Sequence, residues 1–160
     1  MTSQELLAGI QAKFPGLQEI PKAQGQARGD ELYVAVPASQ LVELCRYIRF
    51  DPPLCFDFFS FVTSVDFKTH FEVVYYLTST LHKHKLVLKV KLEDRNHPEV
   101  PTISTVWPAA DWQEREIFDL MGIQFLGHYN LRRILLPEDW QGHSLRKDFP
   151  LRGYEPYSLK

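Results

Sequence analysis

Apolar and polar positions recur with two different periods along this chain, and the changes of period mark its elements. Leu6/Leu7, Ile10 and Phe14 fall on one side of a helix over about residues 4–14, with Ser3 as its cap and Pro15-Gly16 as its stop. Residues 17–20 read as a short strand and 22–29 as a polar turn or loop. Leu32, Val34 and Val36 alternate with their neighbours, so a strand is predicted over 31–36, ended by Pro37. A second helix over 39–49, capped by Ser39, turns Leu41, Leu44, Cys45 and Ile48 inward, and Asp51-Pro52-Pro53 breaks it. Residues 55–67 are too rich in Phe for the period to decide between helix and strand. Residues 71–78 and 85–93 form a hairpin across 79–84. In its second run Leu86, Leu88, Val90 and Leu92 alternate with Val87, Lys89, Lys91 and Glu93, as in a sheet covered on one face. Residues 102–106 are one more strand or the approach to the next helix. That helix, over 109–121, places Ile117, Leu120 and Met121 at i, i+3, i+4 with Phe118 beside them. Pro108 is tolerated at its start, and Gly122 stands where helices turn left-handed and stop.

Beyond Gly122 no period is sustained. Phe125, Leu131, Ile134, Leu135, Leu136, Trp140, Leu145 and Phe149 are scattered among turn residues and the paired cations Arg132-Arg133 and Arg146-Lys147. Such a segment is too apolar for a solvated tail and too irregular to pack itself. It reads as an arm lying on another protein, with Leu131, Ile134, Leu135, Trp140 and Phe149 as anchors. The fold class is therefore α+β: an antiparallel or mixed sheet with helices on one face, followed by an extended irregular C-terminal arm. Residues 1–122 form the core domain and 123–160 the arm.

Charge and composition narrow the function. The 160 residues suit one domain, and a net charge of −2 gives no reason to expect nucleic acid or anionic membrane. The paired Arg residues are interspersed with Glu138, Asp139 and Asp148, which favours a protein interface over nucleic acid. No apolar run is long enough for a spanning helix. The start, MTSQELLAGIQAKF, lacks the pattern of a secretory signal or an Arg-rich transit peptide, and two cysteines without a CxxC fit a reducing compartment. A cytoplasmic chain is expected, with membrane association only through partners.

Candidate chemistry is sparse. Glu114, Arg115, Glu116 and Asp119 are the densest charge cluster of the 109–121 helix, read as a solvated face or as inter-subunit ion pairs. Glu114 and Glu116, at i and i+2, do not face each other, whereas Arg115 and Asp119 have the spacing of a pair. A small stand-alone enzyme using Glu114, Glu116 or Asp119 is the alternative of a different class. His82 and His84 sit at the hairpin tip, and His128 and His143 each follow a Gly in the arm, where turn and interface roles are expected. Cys45 and Cys55 read as buried thiols and are too few to ligate an iron–sulfur cluster. Neither GxGxxG nor a Walker loop occurs.

Residues 107–151 also carry a resemblance. Glu114-Arg115-Glu116-x-x-Asp119, Gly122-Ile123, Gly127-His128, Leu131-Arg132-Arg133-Ile134-Leu135, Gly142-His143 and Leu145-Arg146-Lys147-Asp148-Phe149-Pro150-Leu151 resemble the signature of the 30 kDa subunit family of proton-pumping NADH:quinone oxidoreductase, respiratory complex I. Tyr129-Asn130 and Ser144 depart from it, standing where the family has a Pro-containing turn. The resemblance implies a cofactor-free, non-catalytic subunit of the peripheral arm on the cytoplasmic face of the membrane. FMN, iron–sulfur clusters and quinone are then expected in partner subunits. The implied partners are the terminal iron–sulfur subunit and the large quinone-cavity subunit. The implied interface runs through Glu114, Arg115, Glu116, Asp119, His128, Leu131, Arg132, Arg133, Ile134, Trp140, His143, Arg146, Lys147, Asp148 and Phe149. Equivalent subunits of F420H2 dehydrogenases and membrane-bound hydrogenases share the pattern, so electron donor and acceptor stay open.

Overall fold

A computed structural model describes residues 2–21 and 31–150; the loop expected at 22–29 and the arm from Leu151, including Arg152, lie outside the described residues. Helix α1 (Ser3–Lys13) is capped by Thr2, not by Ser3. Glu5 stands three residues after Thr2, so the two close a reciprocal box: the Glu5 N–H donates to Thr2 Oγ1 at 3.2 Å and the Thr2 N–H to Glu5 Oε2 at 2.8 Å. Strands β1 (Gln18–Glu19) and β2 (Glu31–Ala35) follow. A 3₁₀ turn over Ala38–Gln40 leads into α2 (Leu41–Phe50), so Ser39 lies inside the turn and does not cap the helix. The Phe-rich stretch becomes β3 (Phe58–Asp66), with a bulge between Phe59 and Phe61. The hairpin is β4 (Phe71–Ser79) and β5 (His84–Leu92), in register from Phe71–Leu92 to Ser79–His84. Of the two readings of 102–106, the approach to the helix holds: the strand is the short β6 (Glu99–Pro101), and 102–109 turns into α3 (Ala110–Met121). Gly122 ends α3 at φ 72°, as its position predicts, and β7 (Gln124–Leu126) pairs parallel with β6.

The main sheet runs β1-β2-β5-β4-β3; β2 and β5 are parallel and the other pairs antiparallel, so the sheet is mixed. All three helices cover one face. Leu6 and Ile10 of α1, Leu44 and Ile48 of α2, and Ile117 and Met121 of α3 join Leu32, Tyr75, Leu86 and Leu88 of the sheet in one buried cluster. The other face carries a small cluster of Tyr33, Val74 and Val87, with Ile20 and Tyr76 against it. The boundary expected after residue 122 is not a break in packing, because Ile123 and Phe125 belong to the main core. Residues 127–150 then run without helix or strand back along α3.

Candidate functional site

The period of α3 is unusual in what it buries. Ala110, Glu114, Ile117 and Met121 share one stripe, and Glu114 inside it is wholly buried. A second stripe, Asp111, Arg115 and Asp119, is buried as well, although all three are charged. It is covered by residues 127–150, leaving Trp112 and Glu116 exposed. α3 is thus enclosed between the sheet and the following segment, and the solvated face that its charges suggest is reduced to a narrow strip.

Asp119 is the centre of the enclosure. Its Oδ2 accepts three consecutive backbone N–H groups, from Ile134 (3.0 Å), Leu135 (2.8 Å) and Leu136 (2.9 Å). Its Oδ1 accepts from Arg133 Nη1 at 2.6 Å. Arg133 Nη2 also donates to the carbonyls of Trp140 (3.0 Å) and Gly142 (2.9 Å), closing a loop of chain around one guanidinium. Burial opposes ionisation of Asp119, but the Leu136, Ile134 and Leu135 N–H groups and Arg133 outweigh it and hold the pKa below that of an ordinary carboxylate. Arg115 does not pair with Asp119. Its guanidinium lies over the Trp112 ring, 5.3 Å from the centroid, and donates to the carbonyls of Arg132 and Arg133, each at 3.3 Å.

The C-terminal end of α3 is held in the same manner. Arg146 Nε donates to the Met121 carbonyl at 2.6 Å, and His143 Nδ1 to the Asp119 carbonyl at 2.9 Å. These are the orphan carbonyls that a helix end must satisfy. Burial lowers the His143 pKa, and Arg146 and Arg133 add to this against the pull of the Asp119 carbonyl, so the ring is neutral with hydrogen on Nδ1. Arg95 and Arg146 both lie over the Phe71 ring, at 4.6 and 5.1 Å from its centroid. A further tether joins the segment to the sheet. Asp66, at the end of β3, pairs with Arg95 and accepts the N–H of Lys147 at 2.9 Å, while Arg95 also reaches Asp148 at 3.1 Å.

Burial opposes ionisation of Asp66 too, but Arg95 and the Lys147 and Lys68 N–H groups bring its pKa down to about 2. A depressed carboxylate contributes stability that is fully present above its unfolded pKa of 3.8 and is lost as pH falls through about 2. That gap corresponds to about 2 kcal/mol. Unfolding free energies of the wild type and Asp66→Asn, taken from urea titrations, are therefore expected to differ by this amount at neutral pH and to converge in acid. A constant difference across the range would show that the charge of Asp66 is not what holds the tether.

The remaining expected site residues fall around this enclosure. Glu116 is exposed beside Gln113, whose Oε1 accepts the Val62 N–H at 2.7 Å on the edge strand β3. Leu131 packs on the core, Arg132 is exposed, and Ile134 and Trp140 are half-buried. Lys147 and Asp148 are exposed, and the Phe149 ring lies over Gly142. His128 lies against the start of α3, 3.1 Å from Asp111 Oδ1. Sequence reasoning missed Asp66, Arg95, Thr102, Asp111 and Tyr129. For Asp111 a signal existed: it lies four residues before Arg115 and eight before Asp119, on one helical stripe. Asp66 and Arg95 gave none, because their partners are far along the chain.

Three comparisons bear on this arrangement. A family model described as respiratory-chain NADH dehydrogenase, 30 Kd subunit, matches residues 34–155. The chain is 43% identical over 153 residues to an NADH-quinone oxidoreductase subunit of Roseiflexus castenholzii, covering 94% of this chain and 85% of the relative. It is 44% identical over 135 residues to the subunit of the same name from Geobacter sulfurreducens, covering 79% of this chain and 80% of the relative. Among solved structures it is similar to a chain of the membrane-bound sulfane sulfur reductase, an archaeal respiratory membrane complex. The TM-score is 0.77 at 25% identity, over 93% of this chain and 86% of that one.

Proposed function

Because the chain belongs to the 30 kDa subunit family of respiratory-chain NADH dehydrogenase, we propose that it is a cofactor-free subunit of the peripheral arm of a proton-pumping NADH:quinone oxidoreductase. In this reading it works by docking. It fixes the terminal iron–sulfur subunit against the large quinone-cavity subunit, on the cytoplasmic face of the membrane, so that electrons pass between groups which those partners hold. FMN, the iron–sulfur clusters and quinone belong to the partners. Among the described residues no helix is long and apolar enough to cross a membrane, which fits a peripheral place.

The observation that carries the reading is a group of exposed apolar side chains on α3 and the segment that encloses it: Trp112 (64% exposed), Tyr129, Leu135 and Leu145. Phe58, Phe61 and Val65 add exposed apolar surface on the neighbouring edge strand β3, and further exposed apolar residues such as Phe50 and Leu81 stand apart from it. Large exposed apolar groups beside Arg side chains are what interfaces use as anchors. The enclosure holds them in fixed places, so little ordering would be left to oppose docking. The likeness to a sulfane sulfur reductase chain supports a second reading, in which the same scaffold serves a complex with another electron acceptor. The sequence relatives named as quinone oxidoreductase subunits, at 43% and 44% identity, favour the first.

Cross-linking mass spectrometry of the complex purified through this chain tests the docking. Cross-links from α3 and residues 127–150 to the two named partners are expected; links from the opposite sheet face alone would overturn the reading. Glu116→Arg provides a second check. Glu116 is the position to reverse, because Arg115 is only 8% exposed and its loss would also disturb the fold. Glu116→Arg is expected to leave the melting of the isolated chain within a degree or two, as exposed sites do. At a desolvated interface the same reversal costs about 2–5 kcal/mol, so the yield of assembled complex is expected to fall more than tenfold. Equal effects on melting and assembly would show that Glu116 acts within the chain and not across an interface.

A further inference from the structure

A second group of titratable side chains is buried at the start of α3, apart from the enclosure around Asp119. Glu114 Oε1 accepts the Ile103 N–H at 2.9 Å, and Oε2 is hydrogen-bonded to the Thr102 hydroxyl. His128, its side chain wholly buried, places Nε2 3.9 Å from Glu114 Oε2 and 3.1 Å from Asp111 Oδ1. The Asn130 N–H donates to His128 Nδ1 at 3.1 Å, which makes Nδ1 an acceptor and leaves the ring hydrogen on Nε2. That N–H is aimed at the Asp111 carbonyl, 3.3 Å away, while the nearby Asp111 Oδ1 lies off the hydrogen-bond line and has no aligned donor. A second proton on His128 would set Nδ1–H against the Asn130 N–H. The ring thus accepts at Nδ1 and donates from Nε2. Tyr129 donates its hydroxyl to Asp111 Oδ2, which keeps Asp111 an acceptor.

Two carboxyl groups thus share a water-poor space with the His128 ring. The other groups facing Glu114 supply no positive charge. Cys45 of α2 and Tyr75 of β4 are wholly buried and neutral, and the Tyr75 hydroxyl has no hydrogen-bond partner. The Arg115 guanidinium is directed to Trp112 and to the Arg132 and Arg133 carbonyls. An uncompensated buried carboxylate is far more costly than a carboxylic acid with an acceptor. The acceptor is present: with hydrogen on Oε2 the bond to Thr102 reverses, and the Thr102 hydroxyl then donates to Ser104 Oγ, 2.8 Å away and half-buried.

We propose that Glu114, with Asp111, His128 and the Thr102–Ser104 hydroxyls, is a proton-binding site in which Glu114 holds the proton, and that releasing this proton loosens the 127–130 loop from α3. The proton leaves Glu114 Oε2 through Thr102 to Ser104 and solvent. The carboxylate left behind then faces the charge of Asp111 across the His128 ring that pins the loop.

Burial is the main cause, with the charge of Asp111 adding to it against the Thr102 and Ile103 bonds, and together they push the Glu114 pKa up to about 7. The unfolded chain releases this proton near 4.5. The contribution is therefore full below 4.5 and lost as pH rises through about 7, and the folding equilibrium falls about 300-fold across that window relative to a variant without the carboxyl.

The intact chain is to be followed by infrared spectroscopy and by amide exchange normalised to intrinsic rates. At about pH 6 the wild type is expected to show the carbonyl stretch of a protonated carboxylic acid, lost by about pH 8.5 and absent in Glu114→Gln. Exchange at residues 127–130 is expected to rise over the same interval in the wild type and to stay flat in Glu114→Gln. Should that variant fail to fold, the carboxyl carbon resonance of Glu114 in the wild type still reports the titration. A carboxyl already ionised at about pH 6, or an exchange profile shared by both proteins, would overturn the proposal.

Discussion

Asp119→Ala is expected to destabilise the isolated chain by about 3–5 kcal/mol and to release residues 133–143 from α3. The magnitude follows from removing one member of a buried ion pair and leaving its partner unmatched. Arg133 would keep its charge in a half-buried place, and the N–H groups of Ile134, Leu135 and Leu136 would lose their common acceptor. For a chain of this size the loss corresponds to a fall in Tm of roughly 10 °C. Amide exchange of 134–136 is the direct reading. In the wild type these amides are expected to be slow, although they belong to no helix or strand. In Asp119→Ala they should exchange as freely as exposed loops, while Phe71–Leu77 stays protected. Asp119→Asn retains one acceptor oxygen without the charge and should fall between the two. If the amides of 134–136 exchange quickly already in the wild type, the enclosure is not stable without partners. The segment then acts as an arm ordered by docking, which is the behaviour its irregular sequence predicts.

Gly122→Ala should cost about 2–5 kcal/mol and unseat the other end of the same segment. Gly122 ends α3 at φ 72°, where a side chain carries a penalty of roughly 1–2 kcal/mol. An added Cβ would also stand 2.5 Å from the His143 ring and 2.6 Å from Arg146 Nη2. Overpacking of this kind costs about 1–3 kcal/mol. Both clashing side chains hold the last carbonyls of α3, so relief by moving them forfeits those hydrogen bonds. A lowered Tm with faster exchange at Leu145 and Phe149, whose N–H groups bond to the Leu120 and Arg146 carbonyls, is the expected outcome. Unchanged melting would mean that His143 and Arg146 can repack at no cost, and that the close approach at Gly122 is incidental.

The elements of this protein were legible in its sequence wherever a local rule applies. Alternation over 84–92 and helical spacing in α2 and α3 follow from side-chain direction along one short piece of backbone, so no distant residue is needed to read them. Gly122 and its left-handed turn are legible for the same reason. The cap of α1 at Thr2, written in the Thr2-x-x-Glu5 spacing, was also there to be read. Even the burial of Glu114 has a local trace, since it occupies the stripe of Ala110, Ile117 and Met121. The family too is carried by local motifs, spread over residues 107–151.

Only the tertiary structure decided what the charges of that motif are for. Arg115 and Asp119 have the spacing of a helix pair, yet Asp119 turns to Arg133 and three backbone N–H groups. A carboxylate held by four donors gains more than one in an exposed i, i+4 pair, which is worth only a few tenths of a kcal/mol. Asp66 and Arg95, which tether Lys147 and Asp148, lie 81 and 53 residues from their partners. No periodicity extends over such distances. Residues 127–150 have no regular ladder of their own, so their backbone groups must be satisfied elsewhere. The sequence shows that need through its irregular apolar spacing. Which surface answers it depends on the folded position of α3, whose buried charged stripe supplies the acceptors and carbonyls that hold the segment in place.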